Sequence, residues 1–263
     1  MIDITHAQKS FSCYLKRFDA ENEKIRLKII HTNGVVRCAT EIARRMELDE
    51  EDRQLAKLIA LLHDIGRFEQ VRVFDSFEPA AMDHAAYGAG LLFGSRQMIR
   101  QFIKEDTWDD IIREAIARHS DFSVGTIEDE RTLLHAKLIR DADKLDNCRV
   151  KLEDPVRVLL DMDGDKVGKQ EISDRIWKTC LNHESIPSRE RRTKMDYWVS
   201  YLAYFFDINF TETFSIIQEE RYVDRIIGRI PYTNPDTKEK MEKLRRILND
   251  HVRSRVIQAG LRK

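Results

Sequence analysis

The sequence predicts an all-α protein, and three observations carry that prediction. Apolar residues recur at helical spacing along nearly the whole chain. Glycine and proline are scarce, 10 and 5 in 263 residues, too few for the many tight turns of an all-β fold. Charged residues make up 35% and hydrophobic residues 42%, the balance of long helices with solvated outer faces around a sizeable core.

The elements follow in chain order. Ile25, Leu27, Ile29, Ile30, Val35, Val36, Ala39, Ile42 and Ala43 mark a long helix that runs through His31. Asp49 is placed as an N-cap, with Glu50, Glu51 and Asp52 in a first turn where the helix dipole favours carboxylates. That helix continues through Leu55, Leu58, Ile59 and Leu62 to His63. Val71 to Pro79 reads as a loop bearing two exposed aromatics, Phe74 and Phe77. Asp83 caps a helix through His84, Tyr87, Leu91 and Leu92, and the amphipathic run Trp108 to Arg118 stops just before His119. Phe122 to Asp129 reads as a second loop, and Arg131 to Asn147 as a helix carrying Leu134, Leu138, Ile139 and Leu145.

A polar stretch, Asp161 to Lys169, separates this core from helices near Glu171–Asn182, Arg189–Phe206, Glu212–Ile227 and Asp236–Val256, with breaks at Pro187, Pro231 and Pro235. No repeat and no loose linker is visible. The expectation is one domain over residues 1–263, with a core of about 22–150 and a C-terminal helical extension of about 170–258.

The net charge of −1 argues against a protein that binds nucleic acid through its overall field. No run of 18 apolar residues points to a membrane span, and Met1 to Ser10 lacks an apolar signal core. Cys13, Cys38, Cys148 and Cys180 are far apart and form no CxxC pair, which reads as reduced, mostly buried thiols in a cytoplasmic protein.

The chemistry-bearing element is His63-Asp64, in Leu61-Leu62-His63-Asp64-Ile65-Gly66-Arg67. Inside so apolar a run, two polar groups are costly to bury unless something satisfies them. A divalent cation does so, because imidazole and carboxylate are the donors that Mn, Fe, Ni, Co or Zn accept. Upstream, His31 sits on the long amphipathic helix. Downstream, Asp143 lies in Ile139-Arg140-Asp141-Ala142-Asp143-Lys144-Leu145-Asp146, where acidic residues interrupt apolar ones.

This set resembles the HD superfamily, whose pattern is a His, then a His-Asp pair, then a distant Asp, all on helices. His31-Thr32-Asn33-Gly34-Val35-Val36 resembles the first-His helix, Leu61 to Gly66 the His-Asp motif, and Ala142-Asp143-Lys144-Leu145-Asp146 the last motif. The resemblance covers about Ile25 to Arg149 and leaves the C-terminal helices unexplained. It implies an HD-type helical bundle in which His31, His63, Asp64 and Asp143 converge on a divalent cation (Mn, Fe, Ni, Co, Zn or Mg; one or two per chain). Asp64 is then also a bridge to a second cation. The implied activity is phosphohydrolysis of a phosphate ester or anhydride, nucleotide-like, by a metal-activated water. No residue is assigned to an organic cofactor.

Other residues take roles within that pattern. Arg67, three residues after Asp64 where relatives often carry Lys, is the first cation expected to stabilise phosphoryl charge; Lys144 and Arg118 follow. His84, in Asp83-His84-Ala85-Ala86-Tyr87-Gly88-Ala89-Gly90-Leu91-Leu92, and His119, in Ala117-Arg118-His119-Ser120-Asp121, stand where two-metal subfamilies place extra histidines. These subfamilies include the HD-GYP cyclic-dinucleotide phosphodiesterases, but the chain lacks the double His and the Gly-Tyr-Pro motif of that group. The pair is otherwise read as pocket residues that bind phosphate or shuttle protons. Asp146 shares a helix side with Asp143 at i, i+3 and either orients a ligand histidine or caps or pairs at the surface, the surface role being preferred.

Three further signals are discounted. Asp163 to Asp174 resembles a calcium loop but has Val167 at a ligand place and Asp174 for the bidentate Glu, so it reads as a turn. His6, His135, His183 and His251 read as structural or exposed. Tyr197, Trp198, Tyr201, Tyr204, Phe205 and Phe206 read as core, and Arg189, Arg191, Arg192 and Lys194 as a solvated face. The expected partner is a small phosphorylated substrate, with no membrane and no strong nucleic-acid signal, and a homodimer is allowed. A di-iron oxygenase of the same superfamily and a non-catalytic nucleotide sensor are the alternative readings.

Overall fold

The computed structural model describes residues 2–78 and 81–260. Helices take up 70% of the chain and no strand occurs among the described residues, so the fold is all-α. The chain divides into two compact units, Met1–Asp146 and Asn147–Lys263.

The first unit holds α1 (Ile4–Leu15), α2 (Glu23–Arg45), α3 (Glu50–Leu62), α4 (Ile65–Phe74), α5 (His84–Phe93), α6 (Asp109–Arg118) and most of α7 (Glu130–Glu153). Local chemistry sets the starts. Asn22 accepts the backbone N–H groups of Lys24 and Ile25, Asp49 that of Asp52, and Asp83 that of Ala86. Glu50, Glu51 and Asp52 fill the first turn of α3 as the sequence predicts.

In this unit α2 lies along α3, and α5 lies along both α4 and α6. Leu55, Leu58, Ile59 and Leu62 of α3 are all buried, as are Val35, Ala39, Ile42 and Ala43 of α2. The buried faces therefore repeat every three to four residues, which is the period read from the sequence. Phe11 and Tyr14 of α1, with Phe18, close on Phe68 of α4, the Phe11 and Phe68 rings meeting edge-on at 5.8 Å.

Two elements of this unit depart from expectation. The sequence reading has no helix between His63 and Val71 and a loop from Val71 to Pro79; instead α4 runs from Ile65 to Phe74, where Val71 is buried and its carbonyl accepts the Asp75 N–H at 2.8 Å. Asp75 then ends the helix in the left-handed region (φ 45°), fixed by Lys24, whose ammonium meets both its carbonyl oxygen at 2.7 Å and its carboxylate at 2.8 Å. Phe74 is exposed as expected, Phe77 only half-buried, and Pro79 lies outside the described residues. Helix α1 has no counterpart in the sequence reading.

The second unit holds α8 (Val156–Leu160), α9 (Gly164–Val167), α10 (Asp174–Leu181), α11 (Lys194–Ala203), α12 (Thr211–Glu219), α13 (Tyr222–Ile227) and α14 (Pro235–Gly260). Its core is formed by Trp198, Phe214, Ile217, Met241, Leu244 and Leu248, all buried. Trp198 and Phe205 bear out the core reading of the aromatic cluster; Tyr197, Tyr201, Tyr204 and Phe206 are half-buried. The expected helix over Glu212–Ile227 is two helices, because Arg221 takes a left-handed conformation (φ 52°) between α12 and α13. Pro235 opens α14, the helical position where its missing N–H does no harm. The stretch around Asp163 is a short helical turn, α9. No disulfide joins the four cysteines; Cys148 and Cys180 are buried and Cys13 is exposed. No helix among the described residues is long and apolar enough to cross a membrane.

Candidate metal centre

Helices α2 to α7 and their ends bring polar side chains to one place. His31 comes from the middle of α2. His63 ends α3 and Asp64 precedes α4, so the pair occupies the junction between the two helices, with Asp64 at φ −101°, ψ 19°. His84 opens α5 and His119 follows the last residue of α6. Asp143 and Asp146 come from α7.

Two glycines permit this convergence. At Gly34 a Cβ would collide with the Asp146 carboxylate. At Gly66 it would collide with the His84 carbonyl and lie 2.9 Å from the Gly88 backbone nitrogen. The starts of α4 and α5 therefore cross almost backbone to backbone, and this contact holds His84 next to Asp64.

Three of the histidines are oriented the same way. His63 Nδ1 donates to the Ala60 carbonyl at 2.8 Å, and His119 Nδ1 to the Ile116 carbonyl at 2.7 Å. His31 Nδ1 donates to Asp146 Oδ2 at 2.8 Å. A carbonyl or carboxylate only accepts, so Nδ1 carries a proton and Nε2 is the atom turned inward, with a lone pair to offer whenever the ring is neutral. Carboxylate or carbonyl partners behind ligating imidazoles fix tautomer and ring orientation in metal sites.

The four Nε2 atoms face the two oxygens of one carboxylate. His31 Nε2 and His63 Nε2 lie 3.7 and 3.4 Å from Asp64 Oδ2. His84 Nε2 and His119 Nε2 lie 3.4 and 3.6 Å from Asp64 Oδ1. These form two three-donor groups, His31–His63–Asp64 and Asp64–His84–His119, with every residue buried. Asp143 joins the first group through its Oδ1, 3.0 Å from His31 Nε2, with a quarter of its side chain exposed (25%). His84 Nε2 and His119 Nε2 approach to 3.2 Å.

These separations, 3.0–3.7 Å, come close to those of donors around one cation. Donors about 2.1 Å from a metal stand about 3.0–3.4 Å apart in octahedral or tetrahedral arrangements. His63 Nε2 and Asp64 Oδ1 are buried and accept or donate no hydrogen bond, a deficit that a cation between the donors would remove.

The electrostatics point the same way. Burial raises the Asp64 carboxyl pKa, but the Lys28 ammonium and His63 outweigh it and hold the group well below the usual carboxylate range. Burial also works against Asp143, where His31 prevails and keeps the group ionised. Burial pushes His84 down to about 2, so its imidazole stays neutral, the form that ligates metals. His31 moves up, because hydrogen bonds to Asp143 and Asp146 outweigh burial and the Lys28 charge.

The cations expected from sequence separate in space. Arg67 reaches the cluster, its Nε 3.8 Å from Asp64 Oδ1, while its Nη1 donates to Gln70 Oε1 at 2.7 Å and to the Phe77 carbonyl at 3.0 Å. Arg118 turns to Glu114 at 2.8 Å and to the Val124 carbonyl at 3.1 Å. Lys144 is half-buried beside Asp143, but successive residues on a helix project about 100° apart, so it lies off the side that carries Asp143 to His31.

Three residues missed or misjudged in the sequence are part of the centre. Lys28 contacts Asp64 Oδ2 directly; its place three residues before His31 on α2 was the available signal. Arg140, 3% exposed, donates to the carbonyls of Arg118 at 3.1 Å, His119 at 3.3 Å and Asp121 at 2.5 Å, pinning the segment that carries His119. Asp146 is not a surface residue: it is 1% exposed and holds His31.

The family model of the HD domain matches residues 29–148. Comparisons with curated proteins and with solved structures give no match. The matched segment begins two residues before His31 and ends two after Asp146, so it holds every histidine and carboxylate of the cluster on an all-helical frame, and over these residues the chain is similar to the HD domain.

Proposed function

We propose that the chain is a metal-dependent phosphohydrolase that cleaves a phosphate ester or anhydride of a small, nucleotide-like molecule. The observation that carries this reading is the sharing of Asp64 between two buried three-donor groups. His31, His63, Asp64 and Asp143 would hold one cation, and Asp64, His84 and His119 a second. Bound divalent cations supply Lewis acidity towards phosphoryl oxygens and lower the pKa of water to about 7. The four imidazoles favour Mn, Fe, Co, Ni or Zn over Mg, which prefers oxygen donors.

The chain's own residues prepare the site. Asp146, Ala60 and Ile116 keep three Nε2 atoms aimed inward, so no rotamer search precedes loading. Arg67 brings positive charge beside Asp64, where negative charge grows on the phosphoryl and leaving oxygens. Its bond to the Phe77 carbonyl ties the loop after α4 to the same place. The nucleotide part of the proposal comes from family resemblance alone.

The test is hydrolysis of p-nitrophenyl phosphate, bis-p-nitrophenyl phosphate and a nucleotide panel with each divalent ion in turn. Activity should depend on the metal and fall about a thousandfold or more in Asp64→Ala, which removes a donor from both groups. No turnover of any phosphoester with any divalent ion would defeat the proposal. The paired His84 and His119 also support a second reading, a di-iron oxygenase of the same superfamily. Two irons per chain with oxygen uptake tied to an organic substrate would favour it; failure to bind iron removes it.

A further inference from the structure

The two oxygens of Asp64 are not in equal surroundings. Oδ1 is buried without a hydrogen bond. Oδ2, which faces His31 and His63, is in direct contact with Lys28 Nζ. Lys28 is no surface lysine that happens to pass by. Its side chain is only 15% exposed, it stands on the His31 side of α2 one turn earlier, and its ammonium lies 5.8 Å from the centre of the Phe77 ring. The ammonium therefore sits on the same oxygen that the first donor group would offer to a cation.

We infer that Lys28 is a built-in counter-ion of the cation site: it neutralises Asp64 while the site lacks a cation, and it leaves Oδ2 when a divalent ion enters. The physical case is direct. A buried carboxylate without a positive partner is strongly unfavourable, so the metal-free site needs Lys28. A divalent ion at Oδ2 would be held close to that ammonium, and like charges at such a distance in a poorly solvated place repel strongly. Loading thus exchanges one positive charge for another, which lowers the apparent affinity for metal and keeps the unloaded domain folded. The His31–His63–Asp64 group carries most of this handicap; on the Oδ1 side the side-chain cation, Arg67 Nε, stands farther off at 3.8 Å.

This inference rests on the cation-binding reading above, and the experiment separates the two. Chelator-stripped wild type, Lys28→Met and Lys28→Arg are titrated with Mn2+ alone and followed by calorimetry. Lys28→Met should bind Mn2+ about tenfold more tightly or better, and its metal-free form should melt at a lower temperature than wild type. Lys28→Arg, which keeps the charge, should bind like wild type. A second readout uses only the wild type: acetylation of Lys28 by acetic anhydride, read by mass spectrometry, should rise about threefold or more when Mn2+ saturates the site, which covers the case in which Lys28→Met fails to fold. Unchanged or weaker Mn2+ binding by Lys28→Met, or Lys28 labelling that does not rise, overturns the counter-ion role alone. A wild type that binds neither Mn2+ nor any other divalent ion overturns this role and the proposed function together.

Discussion

His31 and Asp146 form a buried pair: Nδ1 of the imidazole donates to Oδ2 of the carboxylate at 2.8 Å, and Asp146 is 1% exposed. The pair exists only because position 34, one turn after His31, is glycine, where a Cβ would strike the carboxylate. Removing such a partner behind a ligating histidine costs about 10–100-fold in metal affinity. Asp146→Ala should therefore bind Mn2+ about 10–100-fold more weakly than wild type. Gly34→Ala should show the same loss with Asp146 present, because the carboxylate has to move. Titration with Mn2+ checks both, and unchanged affinity in both would remove Asp146 from the centre.

Gly66 is the second point where packing sets chemistry. A methyl group there meets the His84 carbonyl and the Gly88 backbone, neither of which is the flexible end of a side chain. Gly66→Ala should destabilise the protein by about 1–3 kcal/mol, as overpacking does. It should also push α5 away from α4 and weaken the Asp64–His84–His119 group more than the His31–His63 group. Urea denaturation measures the first effect. Metal stoichiometry measures the second, and full stoichiometry with wild-type affinity would contradict it.

Much of this was legible in the sequence, and the rest was hidden for physical reasons. Helices α2, α3, α5 and α6 show their apolar period and their caps, Asn22 excepted, so Asp49, Asp83 and the end at Arg118 were read correctly. Helix α4 was lost because its faces are almost uniformly buried: Ile65, Gly66, Phe68, Glu69, Gln70 and Val71 are all inside, so no amphipathic period remains to be read. The four ligand-motif residues stood out because carboxylates and imidazoles interrupt apolar runs. Lys28 and Arg140 did not, because a cation on a charged helix reads as surface until its partners are known. Arg140 bonds the backbone carbonyls of Arg118, His119 and Asp121, and a sequence does not show backbone acceptors.

Arg140 carries the next prediction. Its guanidinium serves the carbonyls of Arg118, His119 and Asp121, the turn that leaves α6 and sets His119. A planar fork with several N–H donors can satisfy these acceptors together, whereas a lysine presents one point charge. Arg140→Lys should therefore fail to restore what Arg140→Met loses. Both should lower stability by about 1–3 kcal/mol, the range for buried polar groups left unsatisfied, and both should weaken the second cation more than the first. Thermal melts of metal-free protein and Mn2+ stoichiometry check the pair. Wild-type behaviour in Arg140→Lys would show that the charge, not the fork, matters.

His135 and Asp52 give a pH dependence of stability that is separable from the metal centre. His135 Nε2 lies 3.0 Å from Asp52 Oδ1, and Arg131 Nε bonds the same oxygen at 2.7 Å. Burial lowers the His135 pKa below its ordinary 6.5, and the Asp52 charge only partly offsets it. Burial raises the Asp52 carboxyl, but His135 and Arg131 prevail and hold it below the usual range. Both groups then act with one sign. Below about pH 6.5 the unfolded chain protonates His135 while the folded chain resists, so the unfolded state binds more protons and stability falls. The Asp52 contribution is present above its unfolded pKa of about 3.9 and is lost as the pH drops through the folded value. In metal-free protein, stability from urea denaturation should decline from pH 7 to pH 5. His135→Gln should shed up to about one proton of that slope, at most about 1.4 kcal/mol per pH unit. The comparison of the two proteins isolates this residue, because His31 and His84 titrate alike in both. Equal slopes for wild type and His135→Gln would mean that the folded protein protonates His135 as readily as the unfolded chain does.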